Sequence, residues 1–142
     1  MKKKKIGFIC TGNSARSQIA EGYAKYLALL KDRKDLEFYS AGASPTGYIH
    51  PLVIKVMLEE GIDLSDQYSK GLEDIPYREL DYLITLCGDA AERCPYLPGV
   101  KIEHWNISDP VIFRGSEEER LQIFRKIRDE IKKRVEALLE TL

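Results

Sequence analysis

The stretch Ile6-Gly-Phe-Ile-Cys-Thr-Gly-Asn-Ser-Ala-Arg-Ser17 decides how this chain of 142 residues is read. Residues 6–9 form a short apolar run of the kind that makes a buried strand. Residues 17–30 place Ile19, Ala20, Tyr23, Ala24, Tyr26 and Leu27 on one broad helical face. Between them lies a small polar loop that starts at Cys10 and reaches Arg16 as the helix opens. A thiol at a strand end, a small polar loop and an arginine at a helix start make a cradle for a tetrahedral oxyanion with a nucleophile beneath it. Backbone N–H groups of the loop and helix start supply donors, and the helix dipole favours negative charge there. Arg16 adds a planar, two-pronged contact that a lysine would not reproduce. The expected oxyanion-binding residues are therefore Thr11, Gly12, Asn13, Ser14, Ala15, Arg16 and Ser17. The same positive field predicts a lowered pKa for Cys10 and a larger thiolate share.

Two residues of the loop carry alternatives. Gly12 suits a backbone that approaches a ligand closely or takes a positive φ. Ser17 is placed either as the helix N-cap or as a donor to the Cys10 sulfur, where it would favour the thiolate. The competing structural reading is a buried cysteine used as a small apolar side chain. The loop lacks the Gly-x4-Gly-Lys-Ser/Thr pattern of a nucleotide P-loop.

Working outward, strand-like and helical segments alternate. Residues 36–40 read as a strand ended by Ala41-Gly42 and the turn Ser44-Pro45-Thr46-Gly47. Pro51 fits the first turn of a helix with Val53, Ile54, Met57 and Leu58 toward the core, stopped at Gly61. Residues 75–80 are ambiguous between loop and helical turn. Residues 82–86 and 100–103 are two more strand candidates. Ser-Glu-Glu-Glu at 116–119 fits a capping box opening a long helix, whose stripe is Leu121, Phe124, Ile127, Ile131, Val135, Leu138 and Leu139. This alternation predicts one α/β domain over residues 1–142. It is a small three-layer sandwich, a four-stranded parallel sheet flanked by helices. Its anion loop lies at the carboxyl ends of the strands.

Composition narrows the function classes. The 22 basic and 23 acidic residues nearly cancel, so no overall field selects nucleic acid or a membrane surface. No segment approaches the roughly 20 apolar residues of a membrane span. The lysines at 2–5 precede only four apolar residues and no cleavage pattern, unlike a signal peptide. Three cysteines, an odd number, point to thiol chemistry in a reducing, cytoplasmic setting rather than to a disulfide scaffold.

Two downstream clusters complete the candidate site. Asp109-Pro110 sits in a loop between the last strand and the last helix. By itself it is a turn, but beside an activated thiol it becomes a candidate general acid. Cys87 and Cys94 flank a polar run after the third strand. Its composition predicts a segment able to carry Cys87 to Cys10 and then Cys94 to Cys87. Zinc is the competing explanation, but two cysteines with distant His50 and His104 form no compact ligand set, and no metal is expected.

Cys10-Thr-Gly-Asn-Ser-Ala-Arg-Ser-Gln-Ile-Ala-Glu-Gly22 resembles the low-molecular-weight tyrosine phosphatase superfamily, and within it the thioredoxin-coupled arsenate reductases. Tyr39-Ser-Ala-Gly42, Thr85-Leu-Cys-Gly-Asp89, Cys94-Pro95, Glu103-His-Trp105 and Asp109-Pro110 follow in the same order, covering nearly the whole chain. The resemblance implies a thiol relay in the cytoplasm. Cys10 attacks arsenate held by Arg16, Asp109 protonates the departing oxygen, and Cys87 then Cys94 take over. The relay leaves a Cys87–Cys94 disulfide for thioredoxin. It implies no tightly bound cofactor, phosphate or sulfate as competing anions, and a monomer. The alternative is a phosphatase using Cys10, Arg16 and Asp109, with weak phosphatase activity also compatible with the reductase. Some members carry cysteine where this chain has Ala15. Some bind potassium through residues matching Asn13, Glu21 and Ser40, with an aspartate where this chain has Lys70, so the ammonium of Lys70 implies independence of potassium.

Overall fold

The computed structural model describes residues 3–86 and 100–142. Four strands form one parallel sheet: β1 (Lys4–Cys10), β2 (Leu36–Gly42), β3 (Tyr82–Thr85) and β4 (Lys101–His104). Their spatial order is β2-β1-β3-β4. The α-helices among the described residues are α1 (Arg16–Leu30), α2 (Pro51–Leu58) and α3 (Glu117–Thr141). This is the expected parallel α/β arrangement. Residues 72–74 and 77–79, in and beside the ambiguous stretch, make two 3-10 turns.

The chain leaves β1 for β2 on one side and later returns to β3 on the other. The carboxyl end of β1 is therefore the point where strand order reverses, and open α/β sheets leave a ligand crevice there. Cys10 is the last residue of that central strand. Opposite it in register stands Gly42, the last residue of β2. A side chain at 42 would meet the Thr11 carbonyl oxygen at 2.6 Å and the Asn13 nitrogen at 2.9 Å, so only glycine lets the loop turn this closely over the strand end. β2 accordingly runs two residues further than its apolar pattern suggested.

One buried cluster holds the elements together, with Ile6, Phe8 and Ile9 of β1 and Leu83 and Ile84 of β3 in the sheet. Every residue of the α3 stripe is buried, and the helix packs on both α1 and α2. The faces of the shorter helices need correction. Tyr26 lies at the rim of α1, while α2 buries Leu52, Val53, Val56 and Met57 and leaves Ile54 and Leu58 exposed. The α2 face turns because Arg128 of α3 is buried against it, donating to the Val56 carbonyl at 3.0 Å and to Glu59 at 2.8 Å. Trp105, just past β4, is fully buried with its ring 5.9 Å from that of Phe8. No helix among the described residues is long and apolar enough to cross a membrane.

Candidate active site

The loop after β1 is shaped by where its carbonyls go. Those of Cys10, Thr11, Gly12 and Ser14 accept the N–H groups of Ala43, Ser44, Thr46 and His50 at 2.8–3.1 Å. The Asn13 carbonyl accepts Gln18 Nε2 at 3.0 Å. In a trans peptide the N–H points opposite to the C=O. Turning five carbonyls outward therefore turns the N–H groups of residues 11–15 inward, toward the cavity. Asn13 makes the turn, with φ of 48°, a left-handed conformation that asparagine adopts more readily than most residues. Gly12 does not have a positive φ. Its smallness serves the methyl of Thr46, which would lie 3.1 Å from an added Cβ.

Helix α1 begins at Arg16, with Ala15 at the N-cap, no side-chain cap and no acidic residue in its first turn. Ser17 is thus inside the helix and not its N-cap. Its hydroxyl lies 2.8 Å from Cys10 Sγ and accepts Asn13 Nδ2, also at 2.8 Å. Asn13 Oδ1 in turn accepts Gln18 Nε2 and the Lys70 backbone N–H, each at 2.9 Å, which fixes the amide orientation. With its lone pair engaged by Asn13, the hydroxyl is free to direct its proton to the sulfur.

Cys10 itself is buried, and this overturns one expectation. Burial pushes its thiol pKa up, outweighing the Ser17 hydroxyl, the N–H groups of Ser17 and Asn13, and the Arg16 charge, all of which pull it down. A thiolate loses more solvation in this enclosed site than the empty cradle returns.

Arg16 is buried as well. Its Nη1 donates to the Ile107 carbonyl at 3.1 Å, its Nη2 lies 3.7 Å from Asp109 Oδ2, and its buried Nε has no hydrogen-bond partner among the described residues. A buried donor without an acceptor costs free energy unless something takes it up. Asp109 Oδ1 caps the 3-10 turn Pro110–Ile112 by accepting Val111 N–H at 3.0 Å. Cys10, Thr11, Gly12, Ser14, Ala15, Arg16 and Asp109 line one cavity of about 230 Å³, with Ser44, Thr46 and Val111 above them.

Behind the loop Glu21 is buried between three partners. It accepts the Ser40 hydroxyl, pairs with Lys25, and has Lys70 Nζ at 3.9 Å. Lys70 Nζ also donates to the Tyr68 carbonyl at 3.0 Å. The cluster expected around Asn13, Glu21, Ser40 and Lys70 is thus assembled.

Cys87 and Cys94 lie outside the described residues. The last described residue before them, Leu86, is buried and donates to the Ile9 carbonyl at 2.9 Å, beside the strand end that carries Cys10. The sequence reading missed His50, Ser44, Thr46 and Gln18. For Ser44, Thr46 and His50 the available signal was topological, because whatever follows β2 must emerge beside Cys10, whereas Gln18 stands inside the stretch 10–22 already read as the site.

A strand ending in a buried thiol, an inward-facing N–H loop, an arginine and an aspartate define a cysteine-based oxyanion site on an α/β sheet. The model of the family "Low molecular weight phosphotyrosine protein phosphatase" matches residues 5–142, and the chain belongs to that family. Among its relatives, the arsenate reductase of Shouchella clausii is 46% identical over 142 residues, 99% of each chain. The thioredoxin-dependent arsenate reductase of Corynebacterium glutamicum superposes with a TM-score of 0.77 at 32% identity, covering 99% of this chain and 62% of that one. An arsenate reductase in its phosphate-binding state superposes with a TM-score of 0.75 at 33% identity, covering 97% of this chain and 98% of that one.

Proposed function

We propose that this chain reduces arsenate to arsenite by a three-cysteine relay that ends on thioredoxin. The observation that carries the reading is the single cavity bringing together Cys10, Arg16 and Asp109. The names of the relatives and the two further cysteines of the sequence favour reduction over ester hydrolysis.

Arsenate occupies the cradle against the N–H groups of residues 11–15 and the guanidinium of Arg16. The Cys10 sulfur attacks arsenic, passing its proton to an oxygen of the bound dianion. Asp109 protonates the departing oxygen, which leaves as water, and a sulfur–arsenic bond is formed. Cys87 then attacks the Cys10 sulfur. The sulfur–arsenic bond breaks with its electron pair on arsenic, which falls from the pentavalent to the trivalent state and departs as arsenite. Cys94 attacks Cys87, freeing Cys10 and leaving a Cys87–Cys94 disulfide. The dithiol of thioredoxin reduces it. Phosphate and sulfate share the charge and shape of arsenate without accepting electrons, so they bind and inhibit. The enzyme works as a cytoplasmic monomer of one domain, with no tightly bound cofactor.

The test is NADPH consumption with thioredoxin and thioredoxin reductase, started by arsenate. Turnover lost in Cys10→Ser, Cys87→Ser and Cys94→Ser is the expected result. Brisk hydrolysis of an aryl phosphate that survives loss of Cys87 and Cys94, without arsenate-dependent turnover, would make the enzyme a phosphatase instead.

A further inference from the structure

His50 stands where three elements meet. Its backbone N–H holds the Ser14 carbonyl of the cradle at 2.9 Å. Its Nδ1 accepts Leu52 N–H at 3.1 Å and so caps α2. Its ring packs on Phe124 of α3 with centroids 4.9 Å apart. The cap fixes the tautomer: with a lone pair on Nδ1, the neutral ring carries its proton on Nε2. Yet Nε2 faces Arg120 Nη2 at 3.4 Å, so two donors point at each other. Arg120 Nε is also buried without a hydrogen-bond partner among the described residues.

Asp109 lines the same cavity as Ser14, whose carbonyl His50 holds, and the turn it caps packs against α3, the helix of Arg120. Asp109 is the acidic group whose charge reaches the His50 ring, where it works against Arg120. Asp109 Oδ1 is used by Val111 N–H, but among the described residues Oδ2 has only Arg16 at 3.7 Å, beyond hydrogen-bond reach. On one side there are donors with no acceptor, and on the other an acceptor with no donor.

An oxyanion entering the cradle takes Arg16, and its own charge repels a carboxylate left facing it. We propose that Asp109 has two positions: facing Arg16 and the cradle, from which the protonated acid serves a departing oxygen, and, as a carboxylate, turned to His50 Nε2–H and Arg120 while an oxyanion occupies the cradle. His50 and Arg120 are then positioning residues for the acid. They hold the carboxylate that Asp109 becomes after giving up its proton, and release it when Arg16 is free again. This rests on the reading of residues 10–17 as an oxyanion cradle and of Asp109 as its acid.

The consequence can be read at His50 directly. Burial first and Arg120 second hold its pKa below the ordinary value, with Asp109 opposing them. Among the described residues the charged groups acting on the ring are Arg120 from α3 and Asp109 from the loop before the 3-10 turn. A carboxylate brought into contact stabilises the protonated ring, so anion binding raises the midpoint.

The chain has only two histidines, His50 and His104, so imidazole proton resonances are assigned with one His104→Gln variant. The pH titration is run on the full chain with and without saturating inorganic phosphate, with calorimetry confirming binding in each variant. The expected result is a rise of about one pH unit at His50 on phosphate binding, the size of effect an opposite charge at close range produces. In Asp109→Asn, at phosphate concentrations that calorimetry shows to be saturating for that variant, the rise shrinks to a third or less. A flat or falling midpoint with phosphate bound overturns the proposal. So does an equal rise in Asp109→Asn, which would assign the effect to the charge of phosphate itself. Failure of phosphate to bind at all overturns the cradle reading, and this proposal with it.

Discussion

Helices α1 and α3 begin in opposite ways. The long α3 opens with a full capping box: Ser116 Oγ accepts Glu119 N–H, Glu119 Oε1 accepts Ser116 N–H, each at 3.1 Å, and three glutamates fill the first turn. Helix α1 opens on Ala15 with neither cap nor acid, although its first turn is buried deep in the protein. Every device that stabilises a helix start is present in α3 and withheld from α1. The lesson is that the bare end is kept for a ligand. Its positive pole remains available beside Cys10, and α1 is held by packing on α3 and the sheet instead.

The strongest way to break this contrast is to give α1 the acid it lacks. Ala15→Asp would place a carboxylate in the cradle. Like charges in contact cost several kcal/mol, so phosphate affinity should fall at least about a hundredfold by calorimetry. Unchanged affinity would mean that the bare end serves no anion. A second change acts on the sulfur. Ser17→Ala removes the hydroxyl 2.8 Å from Cys10 and leaves the opposing burial intact. Alkylation of Cys10 by iodoacetamide near neutral pH should slow about tenfold, and its pH midpoint should move up by about one unit. A faster reaction would show that the hydroxyl holds the thiol and not the thiolate.

Effects at the α3 end should be smaller and confined to stability. Ser116→Ala should cost about 1 kcal/mol by urea denaturation at neutral pH while leaving phosphate affinity unchanged. Its partner adds a pH signature. Hydrogen bonds from the N–H and hydroxyl of Ser116 hold the Glu119 carboxyl below its ordinary 4.5. A depressed carboxylate pKa contributes stability above the unfolded value and loses it as pH falls through the folded one. The stability gap between the wild type and Glu119→Gln should therefore be open at neutral pH and close as pH drops below 4.5. A gap that widened in acid would contradict the capping role.

The smallest expected effect is none at all. Lys70 Nζ sits 3.9 Å from the buried Glu21, supplying positive charge behind the cradle from within the chain. Burial lowers the pKa of this lysine and Glu21 opposes the shift. Turnover in sodium and potassium buffers should be equal, and a clear stimulation by potassium would show that the ammonium does not fill that role.

The legible parts of this molecule were those written in local pattern. Cys10 with Arg16, the α3 stripe and the Ser116 cap each follow from local spacing; the first two residues line one cavity, the stripe is buried and the cap is formed. What escaped was set by partners far away in the chain. The α2 face turned because Arg128, some seventy residues on, is buried against the Val56 carbonyl. The thiol of Cys10 departed from its expected direction for a related reason. The loop motif reveals the charges around the sulfur, whereas the loss of solvation depends on how completely the surrounding elements close over it. His50 was invisible as chemistry because its role depends on Ser14 and Arg120, which only the assembled fold brings to it.

Trp105 gives the site a reporter of its own. It is the only tryptophan of the chain, fully buried, with its indole N–H bonded to Glu103 at 2.8 Å. Two residues further on, the Ile107 carbonyl holds Arg16. Any ligand that recruits the guanidinium pulls on a short, tightly packed span that starts at this indole. Intrinsic fluorescence should therefore follow occupancy of the cradle in real time, in unlabelled protein and without a second tryptophan to dilute the signal.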